Sequence, residues 1–221
     1  MPAIAFISPK GGAGKTTAAL VLALALAERG RRVAMIDADP NKPLVHWAAL
    51  PQRPPLVSVH PAPTAPDVAF ALREAERLRP DWIILDTEGS VRGAAAFRLL
   101  RLDLILTPLA ASQIEALQAI AAADMIRQSA GRSGRRVPHR GLVTRLPAAI
   151  RSRSLKMVVE QLRQHQIEML PTPLIEKEAF RQLFAIGGNF DALDSSGVAG
   201  VAAARLNAAA YADSVIDLVL R

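Results

Sequence analysis

The sequence predicts an α/β protein: a mostly parallel, twisted sheet of about seven strands with helices on both faces. Three observations carry this reading. Short apolar runs alternate with longer helical stretches along the whole chain. The apolar runs are continuous rather than alternating apolar and polar, as in strands covered on both faces. A glycine-rich turn, SPKGGAGKTT over residues 8–17, stands between the first apolar run and the first helical stretch.

Residues 3–8, AIAFIS, are apolar and branched enough for a buried first strand that runs into this turn. Residues 16–29 hold no glycine or proline and are rich in alanine and leucine, so they are expected to be helical, with Gly30 ending the helix. RRVAMIDAD, residues 31–39, is a second strand closing on Asp37 and Asp39, and PLVHWAAL is a short helix. The proline-rich stretch 51–66 reads as loop, short strand (LVSVH) and loop. DVAFALREAERLR is an amphipathic helix, WIILD (82–86) a buried strand followed by the turn TEGS, and LDLILTPL a further strand. The next helix opens at Ser112, with Glu115 three residues on in a capping-box pattern. VPHRGLVTRL is a strand, RSRSLKMVVEQLRQH a helix and IEMLPTPL a last strand. The helices EKEAFRQLFAI, ended by Gly187 and Gly188, and VAAARLNAAAYADSVIDLVLR follow. No internal repeat or strong boundary interrupts residues 1–221, so a single domain is expected.

Hydrophobic residues make up 51% of the chain but aromatics only 4%, so the core must be aliphatic. The absence of cysteine excludes disulfides, thiolate catalysis and cysteine-ligated clusters, and suits a reducing compartment. The longest apolar run, residues 18–27, is ten residues, against about 20 for a membrane-spanning helix. The first residues lack the basic start of a signal peptide, so a cytoplasmic protein is expected. The net charge of +7 is unevenly placed. Residues 125–159 hold nine Lys/Arg, among them Arg127, Arg140, Arg145, Arg151, Arg153 and Lys156, and no Asp or Glu. That asymmetry points to a polyanionic partner, nucleic acid first; a solvated basic face is the competing reading.

The turn half-meets the phosphate-loop formula G-x-x-x-x-G-K-[ST]. Gly14, Lys15 and Thr16 fit, but Pro9 stands where the first glycine is expected, and a second lysine, Lys10, precedes the glycines. Gly11, Gly12 and Gly14 let backbone N–H groups turn inward around phosphate oxygens, and the helix N-terminus adds its partial positive charge. The candidate phosphate-binding run is therefore Gly11, Gly12, Ala13, Gly14, Lys15, Thr16 and Thr17. Lys15 is placed to reach β and γ phosphates, and Thr16 to put its hydroxyl on Mg²⁺. Asp86 ends an apolar strand, where a metal-holding aspartate belongs; Asp37 and Asp39 end another, where a carboxylate can orient a water for attack. A helix cap or turn role is the alternative for each aspartate. The four histidines are scattered and read as surface or loop residues.

KGGAGKTT resembles the deviant Walker A motif of the ParA/MinD superfamily of P-loop ATPases. DADPNKPLVHWA, WIILDTEG, LDLILTPLAASQIEAL and LPTPLIEKEAFRQLFAIG are similar to successive segments of that superfamily, so the resemblance covers nearly the whole chain. It is nearest to small ParA-type proteins that position plasmids or other cargo, including those of conjugative DNA transfer. The resemblance implies a P-loop NTPase fold, ATP and Mg²⁺ as cofactors, and an ATP-sandwiched homodimer in which Lys10 contacts the nucleotide of the other subunit. It implies that Lys15 and Asp39 serve hydrolysis, Asp39 by orienting the water, and that Thr16 with Asp86 serves the metal. It further implies nonspecific DNA as the surface, a nucleoid-associated location, and a separate ParB-like or cargo adaptor as stimulator. Three positions depart from the pattern: Asp86-Thr87-Glu88-Gly89 replaces an aspartate–proline–proline switch, Thr144-Arg145 replaces an Asn-Arg pair whose asparagine reads adenine, and Asn41 replaces a glutamine.

The leading expectation is a weak ATPase that binds nonspecific DNA as an ATP-dependent dimer, with Arg151, Arg153 and Lys156, at the start of a helix, as candidate DNA contacts. A MinD-like membrane-positioning ATPase would need a basic, bulky amphipathic C-terminal helix, which the last helix does not provide. A P-loop small-molecule kinase or ligase would need a second substrate constellation, and none stands out.

Overall fold

The computed structural model describes residues 1–9, 11–88, 102–133, 137–146 and 153–220. Eight strands are present: β1 (Ala3–Phe6), β2 (Val33–Ala38), β3 (Val57–Pro61), β4 (Trp82–Thr87), β5 (Leu104–Leu109), β6 (His139–Leu146), β7 (Glu168–Met169) and β8 (Leu174–Ile175). They form one parallel sheet in the order β3-β2-β4-β1-β5-β6-β7, with β8 also pairing β6. The described helices are α1 (Lys15–Glu28), α2 (Pro43–Ala49), α3 (Ala65–Arg77), α4 (Gln113–Ser133), α5 (Arg153–Gln164), α6 (Glu178–Ile186), α7 (Phe190–Ser195) and α8 (Val201–Val219).

Alternation along each central strand sends successive side chains to opposite faces. Ile4, Phe6, Val33, Met35, Trp82 and Ile84 pack with α1, α2, α6, α7 and α8. Their neighbours Ala3, Ala5, Ala34, Ile36, Ile83 and Leu85 pack with α3 and with Ile126 of α4. Both faces are covered, which is why the strands read as continuous apolar runs. Helix α1 is the inner helix: Ala18 to Leu26 are all at most 1% exposed, because the sheet lies on one side and α8 on the other. A helix apolar all round is stable only in such a place.

Local signals behave as expected at several ends. Gly30 takes φ 74°; its N–H donates to Ala27 and that of Arg31 to Leu26, a Schellman stop for α1. Before α4, the Ser112 hydroxyl accepts the Glu115 N–H at 3.3 Å. The Glu115 carboxylate, however, reaches past Ser112 to the N–H of Ala110, so the capping box closes two residues early.

Three features differ from the sequence reading. The last strand is two short pieces, β7 and β8, both against β6; Pro171 and Pro173 lie between or beside them and have no N–H for the ladder. Helix α7 was not expected. It is six residues long, too short for a periodic signal, and is started by Asn189, whose side chain accepts the Ala192 N–H at 3.1 Å. His60 and His139, read as surface or loop residues although the strand runs LVSVH and VPHRGLVTRL contain them, do lie in those strands. His139 is held 2.8 Å from the Thr107 hydroxyl, and burial pushes its pKa down to about 4, so it is a neutral interior residue at pH 7.

Two glycines after helices separate backbone strain from crowding. Gly30 has open space where a Cβ would stand, so Gly30→Ala should cost about 1 kcal/mol from its left-handed backbone alone. At Gly187, φ 87°, a Cβ would meet Leu50 Cβ at 2.5 Å and the Pro51 carbonyl oxygen at 2.9 Å. Gly187→Ala should therefore lose roughly 2 kcal/mol more in urea unfolding; equal losses would contradict this packing.

Candidate functional site

The carboxyl end of β1 lies between β4 and β5, where the order of the sheet reverses and a crevice opens. The glycine-rich loop leaves β1 there and feeds α1 at Lys15. Gly12 and Gly14 adopt φ 82° and 88°, which side-chain-bearing residues rarely take. Gly11 needs no such freedom, and a Cβ there would meet nothing within 4 Å. Lys10 lies outside the described residues. The loop is backed by the end of β6: the buried Thr144 hydroxyl donates to the Ala13 carbonyl at 2.9 Å. Thr144 thus spends its hydroxyl proton on the loop. Arg145 follows it in the left-handed region, φ 53°, with its guanidinium over Gly12.

Lys15, the first residue of α1, is 6% exposed. Burial pushes its pKa down, while Asp86, Asp39 and Glu88 pull it up. Three carboxylates therefore act electrostatically on this one ammonium. Asp86 stands in register beside Phe6 of β1 on one side and Asp37 of β2 on the other. It is fully buried, and among the described residues neither carboxylate oxygen has a hydrogen-bond partner. Burial drives its pKa up to about 7; the neighbouring Thr16 hydroxyl opposes the rise without completing a hydrogen bond, Asp37 adds to it and Lys15 works against it. A buried carboxylate left without donors, beside a threonine hydroxyl, is a fit for a hard divalent cation. Among the described residues no group of three or more metal-ligating side chains exists. Mg²⁺ needs only one or two protein oxygens when substrate phosphates and waters complete its shell.

The two aspartates of β2 have different roles. Asp37 is 0% exposed and committed to backbone: its carboxylate accepts N–H groups from Leu44 (2.9 Å), Val45 (3.0 Å) and Asp39 (3.3 Å). It thereby caps α2, whose own N-cap residue, Lys42, is left-handed and offers no side-chain bond. Burial raises the Asp37 pKa, and these N–H groups oppose the rise. The helix-cap alternative holds for Asp37. Asp39 is half-buried, accepts the Asn41 N–H at 2.8 Å, and lies near enough to act on both Lys15 and Asp86. Sequence reasoning could not separate the pair, because only the return of α2 onto β2 consumes one of them.

A cleft of about 360 Å³ opens beside the loop, bounded by Gly14, Thr17, Arg145, Glu176, Lys177 and Phe180 among others. Its wall is charged: Arg181 pairs with Glu176 at 2.8 Å and with Glu178 at 2.6 Å.

The basic stretch is less uniform than its sequence suggests. Arg127 pairs with Asp124 at 2.7 Å, and Arg140 with Glu168 at 2.7 Å. Both acids lie outside the 125–159 window and are brought in by helix spacing and by the β6–β7 pairing. Lys156 is exposed on α5. Arg153 opens α5, but its side chain, like all of Arg151, lies outside the described residues. No helix among the described residues is long and apolar enough to cross a membrane. Val201, Ala204, Ala208, Tyr211 and Val215 of α8 are all buried in the core.

Two variants test this geometry in the ligand-free protein. Asp37→Ala strands three N–H groups and should lose about 2–4 kcal/mol, with Asp37→Asn losing markedly less because its amide oxygen still accepts. A similar loss for both in chemical denaturation would refute the capping role. Asp86→Asn should raise stability. The folded pKa of Asp86 is near 7 against an ordinary 3.8, so the fold retains a proton that the unfolded chain releases. The resulting penalty is absent below about pH 4, grows to about pH 7 and is constant above. The unfolding free-energy advantage of Asp86→Asn should follow that course, reaching the order of 4 kcal/mol; a variant less stable than the parent at pH 8 would contradict it.

Known proteins share both the sequence and the fold. The VirC1 protein family matches residues 1–219. The chain is 29% identical over 215 residues to Protein ParA of Rhizobium radiobacter, covering 97% of this chain and 96% of that protein. It is 30% identical over 184 residues to Protein virC1 of the same organism, covering 81% and 79%. An ATP complex of a McdA variant from Cyanothece has the same fold, with a TM-score of 0.68 at 17% identity, covering 97% of this chain and 96% of that one. A phosphate-type loop at the switch point of a parallel sheet and a match along nearly the entire sequence lead to one conclusion: the chain belongs to the VirC1 protein family, within the ParA/MinD superfamily of partition and positioning ATPases.

Proposed function

We propose that this protein is a slow, Mg²⁺-dependent ATPase that works as a nucleotide-switched homodimer, holds nonspecific DNA in its ATP state and positions DNA or other cargo. One observation carries the reading: Lys15 and Asp86 are both buried and act on one another electrostatically, with the Thr16 hydroxyl acting on Asp86, just after the left-handed glycines of the loop. Solved structures with this fold point the same way: one is a plasmid partition protein of Borrelia burgdorferi bound to AMPPNP and another an ATP complex.

In this reading the loop amides from Gly11 to Thr17 and the Lys15 ammonium bind the phosphates, and burial makes that charge count for more than it would in water. Thr16 and Asp86 hold Mg²⁺, which supplies positive charge to the β and γ oxygens when bound. Asp39 orients the attacking water, giving ADP and phosphate. The cleft beside Gly14 and Thr17 takes the nucleoside. Lys10 reaches the nucleotide of the partner subunit, so the site is complete only in the dimer; slow turnover until an adaptor engages follows from that. Arg151, Arg153 and Lys156 serve DNA, and the protein works in the cytoplasm on the nucleoid.

Binding to nonspecific duplex DNA, measured across a salt series with ADP and with a nonhydrolysable ATP analogue, tests the proposal. Binding only with the analogue is expected, with a log–log salt slope of about −0.9 for each phosphate contacted. Lys156→Glu should weaken it and flatten that slope. Absence of DNA binding in both nucleotide states would refute the DNA surface. Separately, Asp39→Ala should retain ATP binding while kcat falls about 100-fold or more, whereas Lys15→Ala should lose binding itself; an unchanged kcat in Asp39→Ala would remove it from the chemistry.

A further inference from the structure

Thr144 makes a contact that the proposed chemistry does not use. It is 2% exposed, lies 131 residues from Ala13 in sequence, and donates its hydroxyl to the Ala13 carbonyl at 2.9 Å. No local turn rule asks for this bond. A planar trans peptide points its carbonyl and the following N–H in opposite directions. Fastening the Ala13 carbonyl against β6 therefore turns the Gly14 N–H away from β6. The same threonine lies close against Gly14: a Cβ on Gly14 would stand 3.4 Å from the Thr144 hydroxyl oxygen and 3.5 Å from its Cβ. The plane of this peptide is set by ψ of Ala13 and φ of Gly14, and the glycine side has many accessible orientations. One buried hydroxyl selects among them.

Thr144 also occupies the point where β6 becomes irregular and its pairing passes to β8 at Leu174. The residue consequently belongs both to the back of the loop and to the wall of the adjoining cleft. We propose that Thr144 is a positioning residue that presets the phosphate loop by locking the Ala13–Gly14 peptide plane through its hydroxyl. This rests on the nucleotide reading of the loop and adds to it a residue that never touches the chemistry. Preorganised amides bind without first being ordered, so the device acts on affinity for phosphate-bearing ligands more than on turnover once they are bound.

The test uses the full chain with Thr144→Val, which keeps the shape and removes the hydroxyl, and Thr144→Ser, which restores it. Hydrogen exchange of the 11–17 segment is measured without nucleotide, and fluorescent ATP and ADP are titrated alongside. In Thr144→Val the loop amides should exchange about tenfold faster and Kd for both nucleotides should rise about tenfold, as for one lost hydrogen bond. The kcat at saturating ATP should change less than KM, and Thr144→Ser should recover exchange and affinity together. Parental exchange in Thr144→Val would overturn the proposal. So would a loss that Thr144→Ser does not restore, since that would be a packing effect. Thr144→Ala replaces the valine variant if the latter does not fold. If the parent chain binds neither nucleotide, the ATPase reading fails, while the exchange measurement still decides the loop claim by itself.

Discussion

The arrangement of this protein turns on a carboxylate that its own fold leaves uncompensated. Asp86 sits inside the sheet with no donor to either oxygen among the described residues, a placement that costs several kcal/mol for an ionised group. Structures keep such a group where a cation or proton has a use for it. Everything nearby answers that charge. Lys15 lies buried on the neighbouring helix, and Thr16 brings its hydroxyl alongside. The loop between β1 and α1 lies beside Asp86 because β1 is the strand paired with Asp86's own β4. Filling this position with an aliphatic residue would give a better core and no site.

The carboxyl ends of four strands together shape the crevice. β1 launches the loop, β4 supplies Asp86, β2 supplies Asp39, and β6 backs the loop through Thr144. Asp37 acts at one remove. By capping α2 and holding the Asp39 N–H, it fixes the segment on which Asp39 is carried. The inner helix α1 ties this end to the rest of the molecule. Because α1 is buried between sheet and α8, Lys15 and Thr16 sit at the start of a helix clamped on both sides rather than on a free loop, and their placement is inherited from the core.

Much of the fold was legible in the sequence, and for a physical reason. Parallel strands covered on both faces must be short apolar runs, and the helices between them must carry caps and stops such as Gly30 and Gly187, which are local signals. What escaped were features too short for periodicity, such as α7, or split by missing donors, as at Pro171 and Pro173. The candidate site was legible in part. Gly12, Gly14, Lys15 and Thr16 lie within five residues, so their chemistry is written in one segment. The basic stretch was legible only as composition; Arg127 and Arg140 find acids that linear counting excluded.

From its residues alone, the chain determined an α/β sheet, a phosphate-type loop after the first strand, and carboxylates at the ends of two others. These are matters of spacing along the backbone, which sequence records directly. Tertiary structure alone decided that Asp37 is a cap while Asp39 is left to act on Lys15, that among the described residues Asp86 is left without donors, and that Thr144 holds the loop. Each depends on what another element brings into hydrogen-bonding distance or fails to bring. Such pairings are set by the packing of strands and helices against one another, and no local pattern encodes them.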